Sequence, residues 1–420
     1  MSIQFEKLDN GVLAACDSMK GFESVAIKIR VNVGGCYESK DERGISHFVE
    51  HMAFKGTNKR DKHEIAIELD ELGGHFNAYT SKEQTAYHCT IPKEYFEEAF
   101  DILADIVVDP LYLQEEIDLE RGVIIQEIGM YEDSPQDKIS EEYYKTCFKD
   151  QAFGDSILGP VENIKNFNRN EFLNYMDMHY HNDNIVIGVA GDIDFELLKK
   201  STNKYFDVRK RGSKISPEKP KFTGGDYREE RDLEQIQVLI GFPGLPKTMN
   251  MDFFKIEIAG SILGGGMSSR LFQEIRENRG LAYSVSAWHS TYSDCGVFSI
   301  YGGVEPQKAN EFIKQSMIET RKMLDFVTEE ELCRVKKQLR CSVLMSADSV
   351  GSRVGNLISS IANYGRYIDI HELIQKIDSV SLKDVRDSIC MILNSENKTL
   401  ATIGKVNDNV MDYDDFCKLI

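Results

Sequence analysis

The sequence predicts an α+β protein made of two related halves. Its 420 residues exceed what one ordinary hydrophobic core accommodates, so two or more domains are expected. Strand-like and helix-like stretches follow each other in the order β-α-α-β-β-α-α, and this order occurs twice. Corresponding elements lie about 210 residues apart, which is the pattern of an internal repeat.

The first copy begins with a strand and ends with a long helix. Residues 24–33 are rich in β-branched side chains and partly alternate, so they are predicted to form a strand that ends at Gly34. A helix that contains His47 follows. The remaining elements are a helix at 62–72, strands at 76–80 and 84–91, a helix at 92–108 opened by Pro92, and a helix at 114–131.

The second copy repeats this order after a polar stretch. Residues 209–220 are basic and contain proline, which is typical of a linker. We therefore predict a first domain at 1–210, a linker at 211–228 and a homologous second domain at 229–420. Its elements are a strand at 234–241, helices at 251–263 and 268–279, strands at 282–290 and 296–302, and helices at 306–324 and 329–345.

A motif in the first copy has the spacing of a metal site. Residues 44–54 include His47, Glu50 and His51 among apolar residues, which is a helical pattern. Residues four apart lie on the same face of a helix, so both imidazoles can bind one metal ion. Glu50 lies beside that face, where it could take a proton from a water that the metal activates. This order is the inverted form of the better-known His-Glu-x-x-His motif. A chance grouping on an amphipathic helix is the alternative that five residues leave open.

The third ligand is sought on the helix at 114–131, because catalytic zinc takes three protein ligands. Glu120 and Glu127 are two helical turns apart and share a face, within a run that is otherwise apolar. A carboxylate is costly to bury there unless it is paired or bound to a metal. We interpret Glu127 as the third ligand and Glu120 as the hydrogen-bond partner of a ligand histidine. The other acidic residues nearby, Glu115, Glu116 and Asp118, are interpreted as solvent-exposed.

The repeat places this chemistry in one half only. Carried over to the second copy, the motif falls on three residues that are not metal ligands, Ile258, Ser261 and Ile262. The first domain is therefore expected to be the catalytic, zinc-binding one, and the second its catalytically empty duplicate.

Composition narrows the possible partners and the compartment. The net charge of −19 argues against nucleic acid as a partner, because phosphate binding needs a basic face. The same charge could attract basic peptides by long-range steering. Solubility alone is also a sufficient explanation of the charge. Nine cysteines without any Cys-x-x-Cys indicate reduced thiols. Neither a signal peptide nor a bilayer-spanning apolar run is recognised, so we expect a cytoplasmic protein without membrane insertion.

With these motifs, the sequence resembles the pitrilysin/insulinase family of inverted-zincin metallopeptidases. It is most similar to the mitochondrial-processing-peptidase subgroup and its short bacterial members. The resemblance covers nearly the whole chain, and the third ligand of the family lies about as far from its motif as Glu127 lies from His51. Four blocks carry it: 44–57, 73–85, 120–128 and 264–283, the last with Gly280-Leu281-Ala282-Tyr283.

The family resemblance implies a fold and a metal centre. The implied fold is α+β, with two homologous domains that each contain a mostly antiparallel sheet with helices packed against it. The implied centre holds one Zn²⁺ per chain, bound by His47, His51 and Glu127. Glu50 is then the general base, and Glu120 supports the ligands.

The resemblance also implies how the substrate binds. Members of the family add the substrate to an exposed strand, and Phe76, Asn77 and Ala78 would supply that edge here. An ordinary paired strand is equally consistent with the sequence. Arg276 and Tyr283 match a pair in the second domain that would hold the substrate carbonyl and stabilise the oxyanion, although a surface arginine and a strand tyrosine are common. Short members are usually dimers that enclose a chamber, so a homodimer is implied, with this pair acting in cis or in trans.

We therefore expect a zinc metalloendopeptidase that hydrolyses short or unfolded, basic peptides or presequences. A non-catalytic scaffold, like the core subunits of respiratory complexes, is an alternative, but such relatives usually have a broken motif. A dedicated partner in peptide modification or cofactor maturation is a third possibility. Cys89 beside His88 suggests a cysteine hydrolase only weakly, because neighbours on a strand point to opposite faces.

Overall fold

The residues of the chain divide between two structural units, each with its own sheet. The computed structural model describes residues 2–207, 216–247 and 252–419, so residues 211–215 of the predicted linker and Met251 of the predicted helix 251–263 lie outside the described residues. Unit 1 comprises Met1–Gly129, Asp155–Glu218 and Leu344–Asp369. Unit 2 comprises Met130–Gly154, Lys219–Val343 and Ile370–Ile420.

The described residues form eleven strands and fifteen α-helices. The strands are β1 (Ser2–Lys7), β2 (Leu13–Ser18), β3 (Ser24–Val31), β4 (His75–Thr80), β5 (Thr85–Pro92), β6 (Ile185–Gly191), β7 (Gly225–Glu230), β8 (Ile236–Gly244), β9 (Ala282–Thr291), β10 (Gly296–Val304) and β11 (Thr399–Gly404). The helices are α1 (Ile45–Met52), α2 (Lys62–Glu71), α3 (Phe96–Val108), α4 (Gln114–Asp133), α5 (Pro135–Cys147), α6 (Val161–Asn166), α7 (Arg169–His179), α8 (Phe195–Phe206), α9 (Phe253–Gly264), α10 (Ala309–Phe326), α11 (Glu329–Ser346), α12 (Val350–Tyr364), α13 (Ile370–Ser379), α14 (Leu382–Leu393) and α15 (Tyr413–Lys418).

The two sheets have the same strand order. Unit 1 contains a sheet ordered β1-β2-β6-β3-β5-β4, and unit 2 contains one ordered β7-β11-β8-β10-β9. Without β1, the two orders match strand for strand. In both, the pair β2/β6 or β7/β11 is parallel and every other pair is antiparallel. The predicted α+β fold with mostly antiparallel sheets and a repeated element order is confirmed.

The alternating faces of β3 explain the layers of unit 1. Val25, Ile27 and Ile29 are fully buried in a large apolar core together with Phe48 of α1. Ala26 points to the other face, into a second cluster with Val350, Val354 and Ile358 of α12. Successive side chains of a strand point to opposite faces, so this sheet has helices on both sides. Among the described residues, no helix is both long and apolar enough to cross a lipid bilayer.

The predicted elements of both copies are confirmed, with differences at their ends. Pro92 is the last residue of β5 rather than the start of a helix, and a 3-10 turn precedes α3. A 3-10 turn at Pro306–Lys308 likewise precedes α10. The helix predicted at 268–279 is largely a π-helix, Phe272–Asn278. Proline is compatible with the last position of a strand. Its fixed φ suits the extended backbone, and its lack of an N–H donor costs no further hydrogen bond of the sheet there.

Each sheet receives one helix from the opposite half of the sequence. α12 packs on β2, β3 and β6 of unit 1, and α5 packs on β7, β8 and β11 of unit 2. Within unit 1, Arg353 of α12 forms a buried ion pair of 2.5 Å with Asp17 of β2. The division into domains at 1–210 and 229–420 stays a prediction.

Candidate metal centre

The motif helix α1 is short and firmly seated. Ile45, Phe48, Val49 and Met52 are buried and anchor one face. Gly44 precedes it with φ of 96°, and an added Cβ there would lie 2.5 Å from the carbonyl oxygen of residue 158, so only glycine fits. The remaining face presents the two motif histidines.

A buried carboxylate caps the start of α1. The N–H groups of Gly44 and Ser46 donate to the two oxygens of Glu38 at 2.9 and 2.8 Å. Burial raises the pKa of Glu38 to about 7, although these donors and Arg43 oppose the shift. Unpaired N–H groups at a helix start favour negative charge, so Glu38 fixes this end of α1. Glu38 was not predicted from the sequence, because a single glutamate in a loop has no diagnostic spacing.

Helix α4 brings a third side chain to the two histidines. Ile117, Glu120 and Ile124 form its buried face, and Glu127 lies about one turn farther along. One oxygen of Glu127 lies 3.7 Å from Nε2 of His47 and 3.7 Å from Nε2 of His51. The ligand atoms of this trio lie within 4.8 Å of one another, and no second such group occurs in the described part of the chain.

These distances and the protonation state of His47 suit a divalent metal. Zinc–nitrogen and zinc–oxygen bonds of about 2.0–2.2 Å place tetrahedral ligand atoms about 3.4 Å apart, close to the spacing found here. Burial, with a contribution from His51, lowers the pKa of His47 to about 3. His47 is therefore neutral near pH 7 and keeps the nitrogen lone pair that a metal needs.

Glu120 and Lys55 hold His51 in place. Nδ1 of His51 donates to Glu120 at 2.8 Å, which leaves Nε2 directed toward Glu127. The ammonium of Lys55 lies 2.5 Å from the other Glu120 oxygen. Burial raises the pKa of Glu120, but His51 and Lys55 outweigh it and lower the pKa overall. Lys55 was not predicted, because it lies beyond the end of α1 at Met52 and its contact with Glu120 depends on tertiary packing.

Glu50 stands beside the trio and is held by Thr80. The hydroxyl of Thr80, the last residue of β4, donates to one Glu50 oxygen at 2.7 Å. Burial raises the pKa of Glu50 and the charge of Glu127 adds to this, whereas Thr80 and His51 oppose it. A raised carboxylate pKa is the property that a general base near neutral pH requires. Thr80 was also missed, since a strand threonine has no distinctive pattern.

The residues of the predicted substrate edge lie on an edge strand. Within the described ranges, β4 pairs with β5 on one side and with no strand on the other. Phe76 and Ala78 pack partly against the apolar core, whereas Asn77 is exposed on the other face. The N–H of Ala78 donates to the side-chain oxygen of Asn77 at 2.8 Å.

Arg276 and Tyr283 lie together in unit 2. The guanidinium carbon of Arg276 is 5.0 Å from the ring centre of Tyr283 and 4.6 Å from that of Phe272, which are cation–π distances. Tyr283 is 77% exposed. Arg276 belongs to the π-helix, a geometry that is frequent at functional sites.

Comparisons with known proteins identify the family of this chain. Residues 14–161 match the family model "Insulinase (Peptidase family M16)", and residues 166–339 match "Peptidase M16 inactive domain". An "Uncharacterized zinc protease" of Rickettsia felis is 39% identical over 96% of both chains. The "Uncharacterized zinc protease YmxG" of Bacillus subtilis is 34% identical over 94% of this chain and 96% of its own. The "Mitochondrial-processing peptidase subunit beta" of Bos taurus is 29% identical over 98% of this chain and 86% of its own.

Solved structures share the fold. "The crystal structure of a protease from Helicobacter pylori" has a TM-score of 0.89 and 18% identity, and it covers 96% of this chain and 99% of its own. The "Peptidase M16 inactive domain from Pseudomonas fluorescens" has a TM-score of 0.88 and 18% identity, and it covers 96% of this chain and 98% of its own. The family models and the relatives described above confirm the predicted family resemblance. The chain belongs to the insulinase family of peptidases, M16, and is a zinc-type metallopeptidase similar to the mitochondrial-processing peptidase beta subunits.

Proposed function

We propose that this metallopeptidase is an endopeptidase that holds one Zn²⁺ through His47, His51 and Glu127 and uses Glu50 as its general base. The observation that carries the proposal is the convergence of three ligand atoms within 4.8 Å beside a carboxylate with a raised pKa. When bound, zinc acts as a Lewis acid that polarises the scissile carbonyl and makes a water molecule more acidic.

The protein side chains then divide the remaining work. Glu50 accepts the proton of the attacking water at its oxygen and returns it to the leaving amine. Thr80 keeps the Glu50 carboxylate oriented by its 2.7 Å hydrogen bond. Glu120 fixes the ring of His51 through Nδ1, so that Nε2 stays available as a ligand.

The substrate is proposed to bind as an added strand on β4. Phe76, Asn77 and Ala78 lie on the unpaired side of the sheet, where an extended peptide finds backbone partners. Folded proteins do not offer a free extended segment, so short or unfolded peptides and presequences fit this mode. A net charge of −19 favours basic peptides through long-range attraction.

Arg276 and Tyr283 are proposed to hold the substrate carbonyl and stabilise the oxyanion, within a chamber formed by a homodimer. Their cation–π contact presents a fixed guanidinium next to an exposed phenol. A mixture of Glu50→Gln and Arg276→Ala chains tests whether the pair acts on the partner's zinc. Action in trans predicts about a quarter of wild-type activity after random mixing of subunits. No recovery of activity would argue that the pair acts in cis.

A reducing, cytoplasmic location is part of the proposal. The nine cysteines are all free thiols, and Cys16, Cys36, Cys89, Cys147 and Cys295 are buried. Free thiols persist where glutathione and thioredoxin keep them reduced.

The decisive experiment measures metal content and the hydrolysis of a basic fluorogenic peptide, with and without a chelator. About one zinc per chain and chelator-sensitive cleavage within the peptide are expected. Zinc without cleavage of any basic peptide would contradict the proposed substrate class. A purified protein without any metal would overturn the ligand assignment.

A further inference from the structure

Unit 1 contains a second concave site, on the sheet face opposite the metal centre. It is an open cavity of about 520 Å³ between β3, β4, β5 and the first turn of α12. The metal-binding helix α1 packs into the apolar core on one face of the sheet, and α12 packs on the other. Cavities of this size are typical of small-ligand sites.

The strand register brings polar side chains together in this cavity. Lys28, His88 and Asn77 are directly opposite one another on three adjacent strands. Thr90 and His75 form the next row on the same face, two residues along. His75 and Asn77 are exposed and make the rim, whereas the other three side chains are partly buried.

Small residues create the space. Ala26 completes the second row opposite Thr90, and Gly351 lies in the first turn of α12. A Cβ added to Gly351 would lie 3.7 Å from the Thr90 hydroxyl, so the helix start is directly beside the cavity wall. The first N–H groups of a helix have no intrahelical acceptor and carry partial positive charge.

The charge of the cavity is unusual for this protein. None of its lining residues is acidic, although the chain has a net charge of −19. The Lys28 ammonium donates to the phenol of Tyr79 at 2.9 Å, and among the described residues no carboxylate lies within ion-pair distance of it. Burial and the neighbouring Lys28 lower the pKa of His88, so its neutral ring offers one N–H donor. A cation and several donors thus face a cavity without a counter-charge.

We propose that this cavity binds a small anionic group, a carboxylate or a phosphate, through Lys28, His88 and Thr90 beside the start of α12. The group belongs either to a free small molecule or to a peptide that lies along β4, because His75 and Asn77 of that strand form the rim. This site shares no residue with the proposed zinc ligands, so it is tested by binding and does not depend on peptidase activity.

The first experiment titrates the intact protein with inorganic phosphate at constant ionic strength by calorimetry. Saturable binding is expected, weakened about tenfold by Lys28→Met and retained by Lys28→Arg, because a charge-assisted hydrogen bond is lost only in the former. Thr90→Val removes the hydroxyl at nearly constant volume and is expected to weaken binding about threefold. Lys314→Met, on the exposed side of α10, is the matched control and should leave binding unchanged.

Two results would overturn the proposal. One is the absence of saturable phosphate binding together with the absence of binding by carboxylate peptides. The other is an equal loss of affinity in the Lys28→Met and Lys314→Met variants, which would indicate general electrostatic attraction. Imidazole NMR of His88 adds a local readout, since its resonances should shift on titration in the wild type and should need about tenfold more phosphate for the same shift in Lys28→Met.

A second titration identifies the source of the anion. Two peptides of one sequence, with a free or an amidated carboxyl terminus, are compared on the Glu50→Gln variant, which prevents cleavage. Tighter binding of the free acid, with displacement by phosphate, assigns the cavity to a peptide carboxylate. Equal binding of both peptides, with phosphate still bound, assigns it to a free small anion.

Discussion

The two units have the same strand order, but the equivalent helices carry different residues: one carries the proposed metal-binding motif and the other does not. In unit 1, the helix after the long strand β3 is α1, which carries His47, Glu50 and His51. In unit 2, the helix after β8 is α9, whose residues at the repeat positions are Ile258, Ser261 and Ile262. Both isoleucines are buried in the core of unit 2.

The comparison shows that buried polar side chains need hydrogen-bonding partners, whereas buried apolar side chains do not. Isoleucine side chains on α9 are stabilised by burial alone, about 1.5–3 kcal/mol each. The polar set on α1 gains no such energy and needs Glu120, Lys55 and Thr80 as hydrogen-bonding partners. We therefore expect activity to depend on residues beyond the motif, and the following variants test that dependence.

The largest effect on turnover is expected for Glu50→Gln, because the amide cannot accept the proton of the attacking water. The specificity constant kcat/KM should fall by about 10²–10⁴-fold with zinc still bound. Ser261→Ala, at the equivalent position of unit 2, should keep wild-type kinetics. Peptide hydrolysis and elemental analysis of both variants are the measurements, and near-normal turnover of Glu50→Gln would rule out this base.

Removal of the third ligand should act on the metal first. Glu127→Ala leaves two histidines, and zinc affinity is expected to drop at least about 100-fold, with activity lost in parallel. Competition with a chromogenic chelator measures this affinity. Glu115→Ala, an exposed glutamate on the same helix, is the control. Unchanged zinc affinity in Glu127→Ala would show that Glu127 is not the third ligand.

A smaller loss is expected when the support of His51 is weakened. Lys55→Met removes the cation that holds Glu120 while keeping the length of the side chain. Zinc affinity should fall about 10-fold, within the range found for residues that orient metal ligands. Lys59→Met removes an exposed lysine that pairs with Asp101 instead and should have no effect on zinc. An equal loss in both variants would indicate a general charge effect.

The smallest effect concerns stability and pH. The pKa of Glu38 is raised from about 4.5 to about 7, so between these values the folded chain retains a proton that the unfolded chain releases. Its contribution to the free energy of unfolding therefore falls as pH rises, by at most about 3 kcal/mol. In Glu38→Gln this pH-dependent contribution to the free energy of unfolding should be absent, because the amide does not titrate.

Urea denaturation at pH 5 and pH 8 provides the measurement. The wild type should lose more stability than Glu38→Gln on going to pH 8. Glu115→Gln should follow the wild type, because its carboxylate is exposed. Parallel pH profiles of the wild type and Glu38→Gln would contradict the raised pKa.

The repeat could be predicted from the sequence, because periodic spacing encodes it. Helical spacing also pairs His47 with His51, and the structure brings Glu127 to them, while the role of the three residues as metal ligands stays a prediction. The sequence did not predict Glu38, Lys55 or Thr80. All three lie outside α1 and α4, the helices that carry the proposed ligands, and their contacts depend on tertiary packing rather than on local pattern. The π-helix at Phe272–Asn278 was missed for a similar reason, since its apolar spacing resembles that of an ordinary helix.

The placement of α12 has a consequence for synthesis on the ribosome. This helix covers the second face of the sheet in unit 1. The ion pair between Asp17 and Arg353 joins residues that are 336 positions apart in the chain, so it cannot form until Arg353 has been synthesised. Contacts this distant form late, because a long loop must close first. A nascent chain therefore exposes an uncovered sheet face until residue 364 has emerged. Chaperones are expected to bind that face, and unit 1 completes its fold only once α12 has been translated.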